Sequence, residues 1–253
     1  MKSQSFEVAL VPAATTPERL EGRAVIVVDV LRATSTIASA LSAGADCIAP
    51  QPGIEAARTH HERLGPESRL GGERGGRRVD GFHCGNSPRE YTPENIGGRT
   101  LILATTNGTV AMESCRLASL VITGAFANIS AVFERVKDEP EITILCSGTD
   151  RRITSEDVLF AGAMAERILS AAGESGHELK MNDSATIAHQ HWQFASNAIR
   201  SGEKTLADFF RVAHGGVNLV RNGYEEDVIF AANLDTFDVV PVLDLKTWTI
   251  RAE

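Results

Sequence analysis

A chain of 253 residues with 43% hydrophobic content can bury a sizeable core, as one domain or as two fused halves. Its 33 acidic residues against 25 basic ones leave a net charge of −8, which argues against a general nucleic-acid surface. The four cysteines (Cys47, Cys84, Cys115, Cys146) lack C-x-x-C spacing, no apolar run approaches the roughly 18 residues of a membrane span, and MKSQSFEVAL lacks a signal layout; together these predict a cytoplasmic protein with reduced thiols.

Phe6 to Val11 alternates loosely and predicts an edge-like first strand. Ala24 to Val28 is apolar, mostly β-branched and without alternation, the pattern of a strand buried on both faces. Asp29 then falls where that strand leaves the sheet. Arg32 follows as a bidentate oxyanion donor, and Thr34, Ser35 and Thr36 offer hydroxyls and N-cap candidates for a helix of small residues. An acid, a cation and helix amides are thereby delivered beyond the carboxyl end of a strand, where open α/β sheets bind ligands. Taken alone, the stretch equally allows Asp29 to cap the helix with Arg32 paired to it at the surface.

Asp46 to Pro50 predicts a short strand, and about Gly53 to Leu64 a helix. The β-β-α-β-α order to this point favours parallel strands with crossover helices. Residues 65–98 break the rhythm, with eight glycines from Gly71 to Gly98, Glu73 and six arginines from Arg69 to Arg99. Leu70, Val79, Phe82 and Tyr91 anchor this segment, which predicts an ordered functional loop carrying a local anion site.

Thr100 to Ala104 predicts a second buried strand. It runs into Thr105-Thr106-Asn107-Gly108-Thr109, a candidate oxyanion cradle at a helix start that lacks the Gly-Lys-Ser/Thr ending of a Walker A loop. Ser119 to Thr123 and Glu141 to Cys146 follow as strands, the latter closing on Ser147 to Asp150. Thr154 and Asp157 have capping-box spacing at the mouth of a long helix, a pattern that allows one acid of the Glu156-Asp157 pair a purely structural role and leaves the other free. From Asn182 to Phe230 the pattern is helical; His189 and His191 lie two apart and so face different sides, and His214 reads as a helix-end feature. Asp238 to Leu245 predicts a last strand, demoted towards an edge or bulge by Pro241.

Nucleophile-elbow, zincin and dinucleotide signatures do not occur. Leu31 stands two residues beyond Asp29, where a phospho-aspartyl phosphatase needs its second acid. The ordered blocks VDVLRATSTIASALSAGA (28–45), GGERGG (71–76), GF with GNSPREYT (81–92), TTNGTVA (105–111), GAFAN (124–128), CSGT with TSEDVLFAG (146–162) and VIFAANLDTFDVVPVL (228–243) span most of the chain. In these blocks it resembles the magnesium-dependent 2-phosphosulfolactate phosphatases of coenzyme M biosynthesis, with His83-Cys84 and Ala231-Ala232 as departures.

The resemblance implies an α/β fold: a mixed, largely parallel sheet between helix layers (three-layer α/β/α) with a helical C-terminal region. Residues 1–253 are expected to form a single catalytic domain, any two similar halves dividing near 130–140. The implied activity is Mg²⁺-dependent hydrolysis of a small phosphorylated hydroxy acid, 2-phosphosulfolactate to sulfolactate and phosphate; a lyase acting on such an acid and a non-catalytic binder are the alternatives. Charge stabilisation on a phosphoryl group and hard-cation binding then assign the residues. Asp29, Glu73 and Asp157 are the metal candidates, and Asp29, Arg32, Glu156 and Asp157 the catalytic ones, with Glu156 as general base. Arg32, Thr34, Ser35, Arg74, Asn86, Ser87, Thr106, Asn107, Gly108 and Thr109 are the substrate-binding candidates. Of Cys84, Ser87 and Cys146 only Cys84 has a histidine beside it in sequence, His83, and none belongs to a recognised nucleophile motif; the expectation is attack by a metal-positioned water without a phospho-enzyme. The expected partner is a small anionic phosphorylated substrate, with neither nucleic acid nor membrane, in a homodimeric enzyme.

Overall fold

Ala24–Val28 (β2) is the strand its unbroken apolar run predicts, every residue buried. Ile26 and Val28 enter one hydrophobic core and Val25 and Val27 the other, so the two faces of a pleated strand build separate layers. The structure, a computed structural model, describes residues 3–176 and 178–253.

Before β2 lies β1 (Ser3–Ala9), and after it come α1 (Ala33–Ser42), β3 (Cys47–Gln51) and α2 (Ile54–Leu64). Then follow β4 (Ser68–Arg74), β5 (Arg77–Arg78), α3 (Pro93–Ile96), β6 (Thr100–Ala104), α4 (Gly108–Glu113), β7 (Leu120–Gly124), α5 (Ile129–Val136) and β8 (Glu141–Cys146). The last third holds α6 (Ser155–Ser175), β9 (Glu178–Met181), α7 (Asp183–Arg200), α8 (Leu206–Val212), α9 (His214–Arg221), α10 (Glu225–Ala231), β10 (Pro241–Asp244) and β11 (Thr249–Ala252). The sheet order is β5-β4-β6-β3-β11-β10-β7-β2-β8-β1-β9. Its pairings are parallel except those of the β4–β5 hairpin and those around β10 and β11. This is the expected α/β architecture, a mixed and largely parallel sheet between helix layers with a helical C-terminal region.

Three elements differ from the sequence reading. Ser68–Arg74 is not loop but a strand parallel to β6; a Cβ on Gly72 would overlap the Ala104 carbonyl, so glycine is what admits the two backbones side by side. β1 is not at the edge, because β9 pairs beyond it. The strand expected over Asp238 to Leu245 begins at Pro241 and returns as β11, and this hairpin lies inside the sheet between β7 and β3. Proline is accommodated because it opens the strand.

Strands from both sides of residues 130–140 interleave, with β8 lying between β2 and β1. The parallel β2, β7 and β8 therefore end together, and the loops leaving them meet at one rim.

Candidate active site

The turn leaving β2 is built by its own short polar side chains. The Asp29 N–H donates to Thr34 Oγ1 at 3.2 Å, Asp29 Oδ1 accepts from the Ala33 N–H at 3.3 Å, and Ser35 Oγ donates to the Val30 carbonyl at 2.8 Å. One oxygen of Asp29 thus holds the start of α1, while Oδ2 lies where a Cβ on Gly108 would stand 3.3 Å away. Glycine at 108 is what lets the α4 start approach the carboxylate.

Arg32 is buried rather than at the surface. Its Nη1 donates to Asp227 Oδ2 at 2.6 Å, its Nη2 donates to the Gly76 carbonyl at 2.8 Å, and the Tyr224 ring lies under the guanidinium at 4.3 Å. Asp227 Oδ1 accepts from Ser87 Oγ at 2.6 Å. The cation is therefore fixed from two distant parts of the chain, and the N–H groups left over remain for a ligand.

Four carboxylates crowd the same volume but differ in their commitments. Glu73 Oε1 accepts from the N–H and Oγ1 of Thr106 at 2.9 and 2.7 Å, and its Oε2 accepts from the Gly76 N–H at 2.8 Å. Asp157 accepts from the N–H groups of Val30 and Gly148 at 2.9 and 3.0 Å and from Thr154 Oγ1 at 3.3 Å. Both acids tie loops together. Glu156 by contrast has Oε2 buried with no hydrogen-bond partner among the described residues, and a Cβ on Gly215 would overlap its Oε1.

Burial, reinforced by the charge of Asp157, raises the Asp29 carboxyl to about 8. Burial also raises Asp157, to about 6, against the pull of its backbone and hydroxyl donors. Glu156 is pushed well above the usual carboxylate range by burial first and by Asp157 and Asp29 after it. Like charges gathered out of water in this way favour protons or a cation.

A cavity of about 300 Å³ opens beside these groups. Asp29, Leu31, Arg32, Glu73 and Asn86 line it from the sheet side, Gly75 and Gly76 from the β4–β5 turn, and Thr106, Asn107, Thr149 and Asp150 from the strand-end loops. Gly215, Asn218 and Leu219 of α9, with Asn222 just beyond its end, also line it. Asn222 Oδ1 accepts from Arg77 Nε at 3.1 Å, joining that segment to the hairpin.

Of the residues singled out by sequence, the cavity brings together Asp29, Arg32, Glu73, Asn86, Thr106 and Asn107. Thr34, Ser35, Ser87 and Thr109 are buried and use their hydroxyls internally, Thr109 on the Thr105 carbonyl at 3.0 Å. Arg74 is exposed and reaches Thr106 Oγ1 from outside at 3.4 Å. Glu156 and Asp157 stand behind the wall on the first turn of α6. Asp227, Tyr224, Asn218 and Asn222 escaped the sequence reading; an acid and an aromatic directly before the VIFAAN block were the available signal for the first two.

Among the described residues no group of three or more His, Cys, Asp or Glu side chains is arranged to hold a metal, and no helix is long and apolar enough to cross a membrane. Mg²⁺, however, commonly takes only one or two protein carboxylates, with waters and substrate oxygens completing its shell. The uncommitted oxygens here, on Asp29, Asn86 and Glu156, are hard donors of that kind, and two of them are buried without a partner.

A family model described as 2-phosphosulpholactate phosphatase matches residues 9–246. A protein of Thermotoga maritima named "Probable 2-phosphosulfolactate phosphatase" is 38% identical over 88% of this chain and 90% of its own length. Proteins with the same name from Symbiobacterium thermophilum and Nostoc sp. are 36% and 37% identical, covering 89% and 86% of this chain and 93% and 87% of theirs.

Proposed function

Since the chain belongs to the 2-phosphosulpholactate phosphatase family, we propose that it hydrolyses the phosphomonoester of 2-phosphosulfolactate, with Mg²⁺, to sulfolactate and phosphate. The observation that carries this reading is the meeting, at one cavity, of a buried, anchored arginine with the Asp29 carboxyl that burial raises, Glu156 standing behind the wall. Phosphoryl transfer asks for that pairing, a fixed cation for the equatorial oxygens and an acidic pocket for a divalent ion.

Arg32 binds the phosphoryl oxygens through the N–H groups that Asp227 and Gly76 leave free. Thr106 and Asn107 add neutral donors. Asp29 is the carboxylate that would hold Mg²⁺, with Asn86 Oδ1 beside it and Glu156 as acceptor of the attacking water's proton. When bound, the ion would offset phosphoryl charge and lower the proton affinity of the carboxyls around it. Glu73 and Asp157 hold the strand-end loops in register around them.

No protein nucleophile takes part in this scheme. Burial raises the Cys84 and Cys146 thiols above their ordinary range, which keeps them protonated, and Ser87 Oγ is held by Asp227. One in-line displacement by water inverts configuration at phosphorus, so a substrate chiral at phosphorus should give inverted product. Retention would reveal a covalent intermediate. The enzyme is assigned to the cytoplasm, as its four free and buried thiols support, and to a homodimer. The direct test is release of inorganic phosphate from 2-phosphosulfolactate with Mg²⁺, abolished by EDTA and restored by excess Mg²⁺. An unsaturated product in place of the alcohol would point to a lyase, and no turnover under any condition would remove the enzyme reading.

A further inference from the structure

The loop after β8 contains a two-residue turn. The Thr149 N–H donates to the Arg152 carbonyl at 3.0 Å, and the Arg152 N–H donates back to the Thr149 carbonyl at 2.9 Å. Between them Asp150 and Arg151 have φ of 52° and 62°. Both central residues are thus left-handed, a type I′ arrangement whose second position ordinarily takes glycine because a Cβ crowds the backbone there. An arginine kept in that conformation directs attention to its side chain.

Arg151 lines a second cavity, of about 600 Å³, which shares Thr106, Asn107 and Asp150 with the first. Val11, Pro12, Ala13 and Val110 give this cavity an apolar wall. Ser147 also lines it, and its buried hydroxyl has no hydrogen-bond partner among the described residues. Asp150, the other charged residue of the turn, lies 3.8 Å from His214 Nε2. The cations lining the two cavities are Arg32 and Arg151. Arg32 is already balanced by Asp227, whereas the Arg151 guanidinium has neither a carboxylate nor a hydrogen-bond partner among the described residues.

A substrate carrying a phosphoryl group and further acid groups brings more negative charge than one balanced arginine can meet. We propose that Arg151 and Ser147 form a receptor for the substrate's second anionic group, a sulfonate or carboxylate remote from the phosphoryl, with the carbon chain running over Thr106 and Asn107 towards Val110. The assignment rests on the phosphatase reading for the identity of the substrate. It makes Arg151 the residue that selects phosphorylated diacids over phosphorylated monoacids.

Arg151→Gly tests this without disturbing the fold, since glycine adopts the left-handed conformation freely. The ratio of kcat/KM for 2-phosphosulfolactate over 2-phospholactate, which lacks the sulfonate, should fall at least tenfold, through KM of the former. Arg151→Lys should recover part of the ratio, and the Tm of Arg151→Gly should stay level or rise. A ratio within twofold of wild type, or a lowered Tm that accounts for the loss, overturns the proposal. Titration calorimetry with sulfolactate in Mg²⁺ buffer reads the same contact without turnover, and at least tenfold weaker binding to Arg151→Gly is expected. Unchanged affinity rejects the receptor. If wild type releases phosphate from neither ester, the phosphatase reading fails on its own and calorimetry decides the role of Arg151.

Discussion

The contact between Arg32 and Asp227 joins two residues 195 positions apart, both almost wholly buried, at 2.6 Å. A pair of this kind adds little net stability, because desolvating both ions offsets their attraction; breaking it is costly, since the survivor is left charged and unpaired, typically by about 3–5 kcal/mol. Its use here is orientation. With Asp227 on one nitrogen, the Gly76 carbonyl on another and Tyr224 beneath the plane, the guanidinium keeps one rotamer. Asp227→Asn keeps the shape and an acceptor for Ser87 but removes the charge. It should lower kcat/KM about 10- to 100-fold, mostly through kcat, on the premise that a misaligned cation binds the transition state less well. Steady-state kinetics of the folded fraction check this, and activity within twofold of wild type would make Asp227 a structural partner only. Arg32→Lys should behave similarly despite its retained charge, because an ammonium cannot reproduce the planar fork.

Element packing depends on small residues at a few crossings. A Cβ on Gly162 of α6 would overlap the Ala188 carbonyl of α7 and come within 2.6 Å of Trp192 Cβ. Alanine at 162 gains roughly 1 kcal/mol of helix propensity, yet overpacking two helices in contact usually costs about 1–3 kcal/mol, and the Ala188 carbonyl and Trp192 Cβ cannot swing aside. Gly162→Ala should therefore lower Tm; an unchanged or higher midpoint in a thermal melt would show that the helices separate freely. The same dependence on tertiary contact decides which elements the sequence reveals. β2 and β6 are legible because central strands buried on both faces need uninterrupted apolar runs. β4, with the sequence SRLGGER, carries no such run; its strand state comes from pairing with β6, which a sequence with two adjacent glycines and one large apolar residue could not announce locally. β9 and β11 have four residues each, too short to show a period. The site divides likewise. Asp29 and Arg32 are readable from their place at a strand end, whereas Asn218 and Asn222 look like ordinary polar positions in and just after a helix until α9 and its end are seen to line the cavity.

At the scale of the molecule, the sheet and its loops gather Asp29, Glu73, Glu156 and Asp157 from three separate chain regions into one buried volume, which makes the metal-free fold sensitive to pH. The sign follows from Asp29, whose carboxyl is raised from 3.8 to about 8 by burial and then by Asp157. In the unfolded chain it ionises near the lower value; in the fold it keeps its proton until the higher one. The native state therefore binds more protons between them, and stability falls as pH rises through that window. Asp157, raised to about 6, adds to the fall over the lower part of the same range. In EDTA, the difference in Tm between Asp29→Asn and wild type should be small below about pH 4 and should grow in favour of the variant up to about pH 8. On the proposal that Asp29 holds Mg²⁺, the ion displaces the same protons, so it should raise the Tm of wild type more at pH 8 than at pH 5, while leaving Asp29→Asn nearly unmoved. Thermal melts across pH, with EDTA and with saturating Mg²⁺, read both effects. A wild-type Tm that rises with pH in EDTA, or a Mg²⁺ response that survives Asp29→Asn, would remove Asp29 as the residue at which proton and cation compete.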